Sequence, residues 1–165
     1  GTKVQLMGSG TILREVLAAA QLLKDDFKIN ADVWSVTSVN ELAREAKACD
    51  RWNQLHPTKK AHQSYLETQL SGRKGPVIMA TDYVRAYSDQ IREYIPSRFV
   101  SLGTDGFGRS DTRDNLRIFF EVNRYYVVIA ALKALSDDGE IDSKVVQKAI
   151  TKYGIDPEKP NPITV

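Results

Sequence analysis

Strand-favouring and helix-favouring runs alternate through most of this chain, and that alternation limits the folds open to it. Val4–Met7 is short, apolar and β-tolerant, and Gly8–Gly10 (GSG) ends it in a tight turn. In the following stretch Ile12, Leu13, Val16, Leu17, Ala20, Leu23 and Phe27 recur at helical spacing. ADVWSVTS (31–38) reads as a second strand, PVIMATDY (76–83) as a third and RFVSLGT (98–104) as a fourth. Ser38 and Glu41 stand at capping-box spacing before a helix that stops short of His56-Pro57. Lys59 to Leu70 reads as a surface helix, and Val84 to Ile95 as a third strong helix closed by Pro96. A helix carrying Leu116, Phe119 and Phe120 follows the fourth strand. In YYVVIAALKAL (125–135) the Val-Val-Ile run favours a strand, but its length and alanines favour a buried helix, which we choose. The last helix lies within 140–153, with Gly154 as its stop. Prolines at 157, 160 and 162 make residues 155–165 an extended tail. Strand–helix repetition of this kind predicts an α/β fold, a three-layer arrangement with a mainly parallel sheet and helices on both faces. We expect residues 1–165 to form a single domain. The chain enters a strand-like run by Val4, which suggests a piece of something longer.

The charge balance constrains partners. With 23 basic and 21 acidic residues the net charge is +2, and Lys59-Lys60 and Arg73-Lys74 are the longest basic runs. Nucleic-acid binders gather their cations on one face or in runs, so nucleic acid is not expected. Membrane insertion is not expected either, because no apolar run approaches the ~18 residues a spanning helix needs, and the N-terminus lacks the regions of a signal peptide. Cys49 is the sole cysteine, which precludes an intrachain disulfide and suits a reducing cytoplasm.

Several motifs invite chemistry and fail on detail. MGSGTIL puts Leu13 where a dinucleotide fingerprint needs its third glycine, and Thr37-Ser38 where an acid should hold a ribose. A tight turn is the better reading. LGTDGFGRSDTRDNL (102–116) holds three glycines, three aspartates and two arginines between an apolar run and an amphipathic one. It lacks the Lys-Ser/Thr of a phosphate loop. Thr104-Asp105-Gly106 comes within one residue of the Gly-Asp-Gly that opens a magnesium-diphosphate motif, but AALKALSD stands where the asparagine pair should follow. Its structural reading is two bends at Asp105-Gly106 and Gly108, then a helix capped by Ser110 or Asp111. Arg109, Arg113 and Arg117 recur every four residues as a stripe. They either pair with local aspartates or meet another domain or subunit; Asp105, Phe107, Arg109, Asp111, Arg113 and Arg117 are the candidate interface residues. His56 and His62 lack the further ligands a metal site needs, and neither has a recognisable nucleophile partner. Cys49 falls on the buried side of its helical pattern and reads as packing.

GSGTILREV, ADVWSVTSVNELARE, CDRWNQLHP, GPVIMATDYVRAYSDQIREYIP and LGTDGFGRSDTRDNLRIFFEV together resemble the C-terminal domain of the bacterial homodimeric pyruvate dehydrogenases. The shorter pattern G-x-D-x-F-G-x-S is shared across the transketolase superfamily. This resemblance implies a transketolase C-terminal-domain-like fold in a thiamine-dependent enzyme of the cytoplasm. Its thiamine diphosphate and magnesium are expected on upstream domains, so no catalytic, cofactor-binding or metal-binding residue is assigned to this chain. The implied partners are the upstream domains, a second subunit of a homodimer, and the dihydrolipoyl acetyltransferase. Scaffold and assembly is the first role implied. A docking module for the acetyltransferase is the alternative, and a small nucleotide-binding α/β protein is a minority view.

Overall fold

The computed structural model describes residues 1–106 and 110–164. Four strands, β1 (Lys3–Gly8), β2 (Asn30–Ser35), β3 (Val77–Ala80) and β4 (Phe99–Leu102), form one parallel sheet in the order β2-β1-β3-β4. Side chains alternate across it as the strand period requires. Val4, Leu6, Ile78 and Ala80 face one core, and Met7, Val77, Met79 and Phe99 face the other. The first core is covered by α1 (Leu13–Phe27), α6 (Arg124–Asp137) and α7 (Ser143–Lys152). The second is covered by α2 (Val39–Leu55), α3 (Tyr65–Leu70) and the segment holding Ile91, Tyr94 and Ile95. The expected three-layer α/β arrangement is therefore present.

The ambiguous run at 125–135 is helical. Asn123 caps it by accepting from the Tyr126 amide at 3.2 Å, and Val127, Val128, Ala131, Leu132, Ala134 and Leu135 are all buried. β-branched residues cost a helix only tenths of a kcal/mol each, whereas burying one such side chain returns about 1.5–3 kcal/mol. Packing wins.

Two expected helices are shorter than their patterns. Only Tyr65–Leu70 of the 59–70 stretch is helical. Ahead of it, the Asn53 carboxamide pairs with both backbone groups of His62, at 2.9 and 2.7 Å, and so occupies groups a helix would use. The 84–95 stretch divides into α4 (Arg85–Asp89) and a 3₁₀ turn at Arg92–Tyr94. Asp89 accepts from Ser101 Oγ at 2.7 Å and from Arg92 at 2.9 Å, tying the chain to β4 at the break. The tail also departs from a purely extended path, with a 3₁₀ turn at Pro162–Thr164. Pro162 opens that turn, where its missing N–H costs no bond. Ser38 caps α2 as expected, accepting from the Glu41 amide, while the Glu41 carboxylate pairs with Arg44.

Gly75 sets the entry to β3. Its φ is +93°, and a Cβ there would lie 1.7 Å from the Lys3 carbonyl oxygen. Gly72 also has positive φ (+74°), but a Cβ there would meet open space. Gly75→Ala is expected to lose on the order of 3 kcal/mol or more, since backbone must move. Gly72→Ala should lose only the left-handed backbone cost of about 1–2 kcal/mol. Urea unfolding of the two variants side by side checks the ordering.

Candidate functional site

The carboxyl ends of parallel strands, at the point where strand order reverses, are where open α/β sheets place ligands. Here β1 has β2 on one side and β3 on the other. The register sets Gly8 level with Ala80, and Ala80 level with Leu102, so the loops after β1, β3 and β4 leave the sheet together. Ser9 Oγ donates to Thr81 Oγ1 at 3.2 Å across the reversal. Thr11 Oγ1 donates to Asp82 Oδ2 at 3.0 Å and accepts from Arg117 Nη2 at 3.1 Å. Arg117 Nη2 also lies 3.9 Å from Asp82 Oδ2. Thr104 Oγ1 donates to the Asp82 carbonyl at 2.7 Å. Three loops and α5 (Arg113–Phe119) thus meet around one aspartate.

Arg117 is only 3% exposed, which removes it from the expected surface stripe. It turns inward to Asp82 at the end of β3 rather than to the aspartates of its own loop. Arg113 stays exposed and makes no ion pair among the described residues. Phe107 and Arg109, the other expected members, lie outside the described residues, as does Gly108. Asp111 is exposed at the start of α5, where its Oδ1 accepts from the Thr112 amide at 2.7 Å and from Asn115 Nδ2 at 3.1 Å. The helix cap itself is Thr112, accepting from the Asn115 amide, and not Ser110 or Asp111. Asp114 pairs not with an arginine of the stripe but with Arg14 of α1, at 3.8 Å.

Asp105 is held from outside its loop. The Arg85 amide donates to its Oδ1 at 3.2 Å, and the Arg85 guanidinium pairs with Oδ2. Gly106 follows with φ +117°, its α-carbon so near the tail that a Cβ would lie 2.4 Å from the Pro162 carbonyl oxygen. These contacts use the Asp105 carboxylate for folding, and the near match to a magnesium-diphosphate motif does not provide a free metal ligand. Among the described residues no group of three or more His, Cys, Asp and Glu could hold a metal ion. His56 and His62 instead stack on Trp52, with ring centroids 4.2 and 3.5 Å away. Cys49 lies half-buried against Glu45, and burial followed by that carboxylate pushes its thiol up, away from the thiolate that reacts.

Residues 1–123 match the family described as the transketolase-like TK C-terminal domain. The chain belongs to that family. The fold and the sheet's carboxyl-end loops are therefore those of a transketolase-like C-terminal domain. Its sequence is 63% identical over 161 residues to the pyruvate dehydrogenase E1 component of Pseudomonas aeruginosa, covering 97% of this chain and 18% of that protein. It is 56% identical to the protein of that name from Cupriavidus necator, covering 99% of this chain, and 50% identical to that of Escherichia coli, covering 97%. The chain spans 18% of the length of each of these relatives. No helix among the described residues is long and apolar enough to cross a membrane.

The transketolase-like domain secures the helices behind this site with a partly buried ion pair. Glu15, at 5% exposure, accepts from the Arg124 amide (3.2 Å) and from its guanidinium (2.9 and 3.4 Å). Burial pushes the Glu15 carboxyl up, but the Arg124 bonds and charge outweigh it and hold the group below the usual carboxylate range. A carboxyl lowered in the folded state stabilises the fold above its unfolded value, near 4.3, and that stabilisation is lost as pH falls through the folded value. Glu15→Gln is therefore expected to cost about 1–3 kcal/mol at neutral pH and to flatten the acid limb of stability. Urea midpoints measured between neutral pH and the carboxylate range check both effects.

Proposed function

We propose that this chain is the C-terminal domain, residues 1–165 as one unit, of a bacterial pyruvate dehydrogenase E1 component, and that its role there is dimer scaffold and assembly. The supporting observation is the 63% identity that runs along 97% of this chain yet only 18% of a relative carrying that name. The parent protein would decarboxylate pyruvate and pass the acetyl group reductively to a lipoyl group in the cytoplasm. Thiamine diphosphate, bound with magnesium on the parent's other domains, supplies the carbanion chemistry when bound, while the protein positions the reactants. The partners of this domain would be those upstream domains and the second subunit of a homodimer.

The assembly role draws support from what the site residues do. Asp82, Asp105 and Glu15 are each engaged by a side chain from a distant segment. That is the use a scaffold makes of charged groups. Exposed Tyr83 and Val84, at 63% and 49%, stand beside the carboxyl-end loops and offer apolar area to a neighbour.

A second reading, docking of the dihydrolipoyl acetyltransferase, is favoured by Arg113, exposed and without an ion pair among the described residues. A pull-down with the acetyltransferase's subunit-binding domain separates the two: the 165-residue chain should capture it, and Arg113→Glu abolish capture, on the docking reading, whereas the scaffold reading expects no capture.

Calorimetry tests the primary proposal. The 165-residue chain should show no micromolar heat of thiamine diphosphate binding and no pyruvate consumption, while the full-length protein shows both. Removing residues 1–165 from the full-length protein should convert its dimer to monomer in sedimentation. A truncated protein that stays dimeric would refute the scaffold role.

A further inference from the structure

A groove between α2 and α3, at the carboxyl ends of β1 and β2, lies apart from the loops that meet around Asp82. Its volume is about 550 Å³, inside the range of roughly 300–1,000 Å³ that small-molecule sites occupy. Met7, Val36, Leu66 and Leu70 are buried residues of its lining and make it largely apolar. Trp34 and Tyr65 add two aromatic rings. The Trp34 indole N–H is committed to Gln5 at 2.9 Å. The charged groups of the lining are all of one sign: Glu41 and Glu45 are there, and among the described residues no lysine, arginine or histidine is. Glu41 pairs with Arg44, which is outside the lining. Glu45 accepts from the Tyr65 amide at 3.0 Å and from Cys49 Sγ at 3.3 Å. Both donors are neutral, so they leave its charge uncompensated. Arg73, also outside the lining, sits 5.2 Å from the Trp34 ring centroid and is paired with Asp32 at 3.5 Å. One turn on from Glu45, the Cys49 thiol is pushed up by burial and then by Glu45, Glu67 and Asp50, so the field on this side of α2 is negative.

We propose that this groove binds a small organic cation, an ammonium group carried on an aromatic or aliphatic body. The body covers the apolar lining, and the ammonium group donates to the Glu45 carboxylate, a charge-assisted contact. The two aromatic rings favour the same sign, because a ring face attracts a cation. A phosphate- or carboxylate-bearing molecule meets like charge at Glu41 and Glu45 and is refused. A neutral molecule of the same shape gains the apolar contact alone. The groove opens where the loop after β2 leaves the sheet, at the carboxyl end that open α/β sheets use for ligands. This inference is independent of the assembly role and uses none of the residues around Asp82.

The probe is 2-phenylethylamine, titrated calorimetrically into the 165-residue chain at neutral pH. The uncharged 2-phenylethanol and the anionic phenylacetate serve as controls of similar shape. The amine is expected to bind saturably at millimolar concentration, the alcohol about fivefold more weakly, and phenylacetate not at all. Glu45→Gln should weaken the amine about fivefold, the scale of one solvent-exposed charge contact, and leave the alcohol unchanged. The unchanged alcohol reports that the apolar groove is intact. Thr37→Trp, which enlarges a lining residue, should abolish binding of both while circular dichroism shows the fold retained. Three results each overturn the proposal: an amine held no better than the alcohol, an amine affinity unchanged in Glu45→Gln, or an equal loss of amine and alcohol in that variant, which makes Glu45 a structural residue only.

Discussion

Gln5 is a polar side chain in the middle of the central strand, and it is 1% exposed. Every capacity of its carboxamide that matters there is used. Nε2 donates to Asp32 Oδ2 and to the Lys74 carbonyl, both at 2.9 Å, and Oε1 accepts from Trp34 Nε1 at 2.9 Å. One amide thereby binds β1, β2 and the segment leading into β3. A one-residue slip of β1 would turn Gln5 to the opposite core and leave those groups unpaired where water cannot reach. Lys3 and Arg73 close on Asp32 at 2.9 and 3.5 Å from its open side. Burial pushes the Asp32 carboxyl up, but the bonds from Lys3 and Gln5 hold it lower than an ordinary aspartate. With the register fixed at the amino end, the carboxyl ends line up, and Ser9, Thr81 and Gly103 leave the sheet at one level. The site is a consequence of that alignment.

The far side of the site depends on a corner between helices. α5 is followed, past its cap Phe120, by Glu121, a non-glycine residue at φ +63°, and the Val122 amide donates back to the Arg117 carbonyl at 2.9 Å. A left-handed glutamate costs about 1–2 kcal/mol, and the tail offsets it. Lys159 Nζ bonds the Phe119 carbonyl at 2.9 Å and Glu121 Oε1 at 3.2 Å, and sits 5.4 Å from the Phe119 ring centroid. The C-terminal segment, for all its prolines, is a clasp on this corner. Its Pro162 also closes against Gly106. The corner after α5 is therefore held by a contact made 40 residues later in the chain.

Period and punctuation carried the fold in the sequence. Alternating strand and helix runs, the Ser38 cap and the Gly154 stop were all legible because each is local. The α6 helix required weighing a Val-Val-Ile run against length, and burial decided it. The helices at 59–70 and 84–95 were overestimated because what shortens them, Asn53 and Ser101, sits elsewhere in the chain. The site was less legible for the same reason. Residue spacing could show Arg113 and Arg117 one turn apart, but not that one is buried and meets Asp82. Thr11, Asp82 and Arg85 were missed. The available signal was weak: a hydroxyl or acid directly after each strand-like run, in GSGT and ATDY.

Titration directions show how the charged groups are used. General acid–base chemistry near neutral pH needs carboxyls raised or thiols and phenols lowered toward 7. Here the displaced groups move the other way. Asp26, bonded by Tyr153 at 2.7 Å, is held low, and Glu15 and Asp32 are low because their partners outweigh burial. Burial and an acidic neighbour raise Cys49, and Tyr94 is pushed up to about 12 by burial and then by Glu93. Each shift widens the gap between the group and neutrality, as happens when a carboxylate is kept charged for an ion pair or a phenol is kept protonated as a donor. Such groups lock geometry at the expense of reactivity. Among the described residues, two buried side-chain atoms, Ser88 Oγ and Arg117 Nε, lack a hydrogen-bond partner.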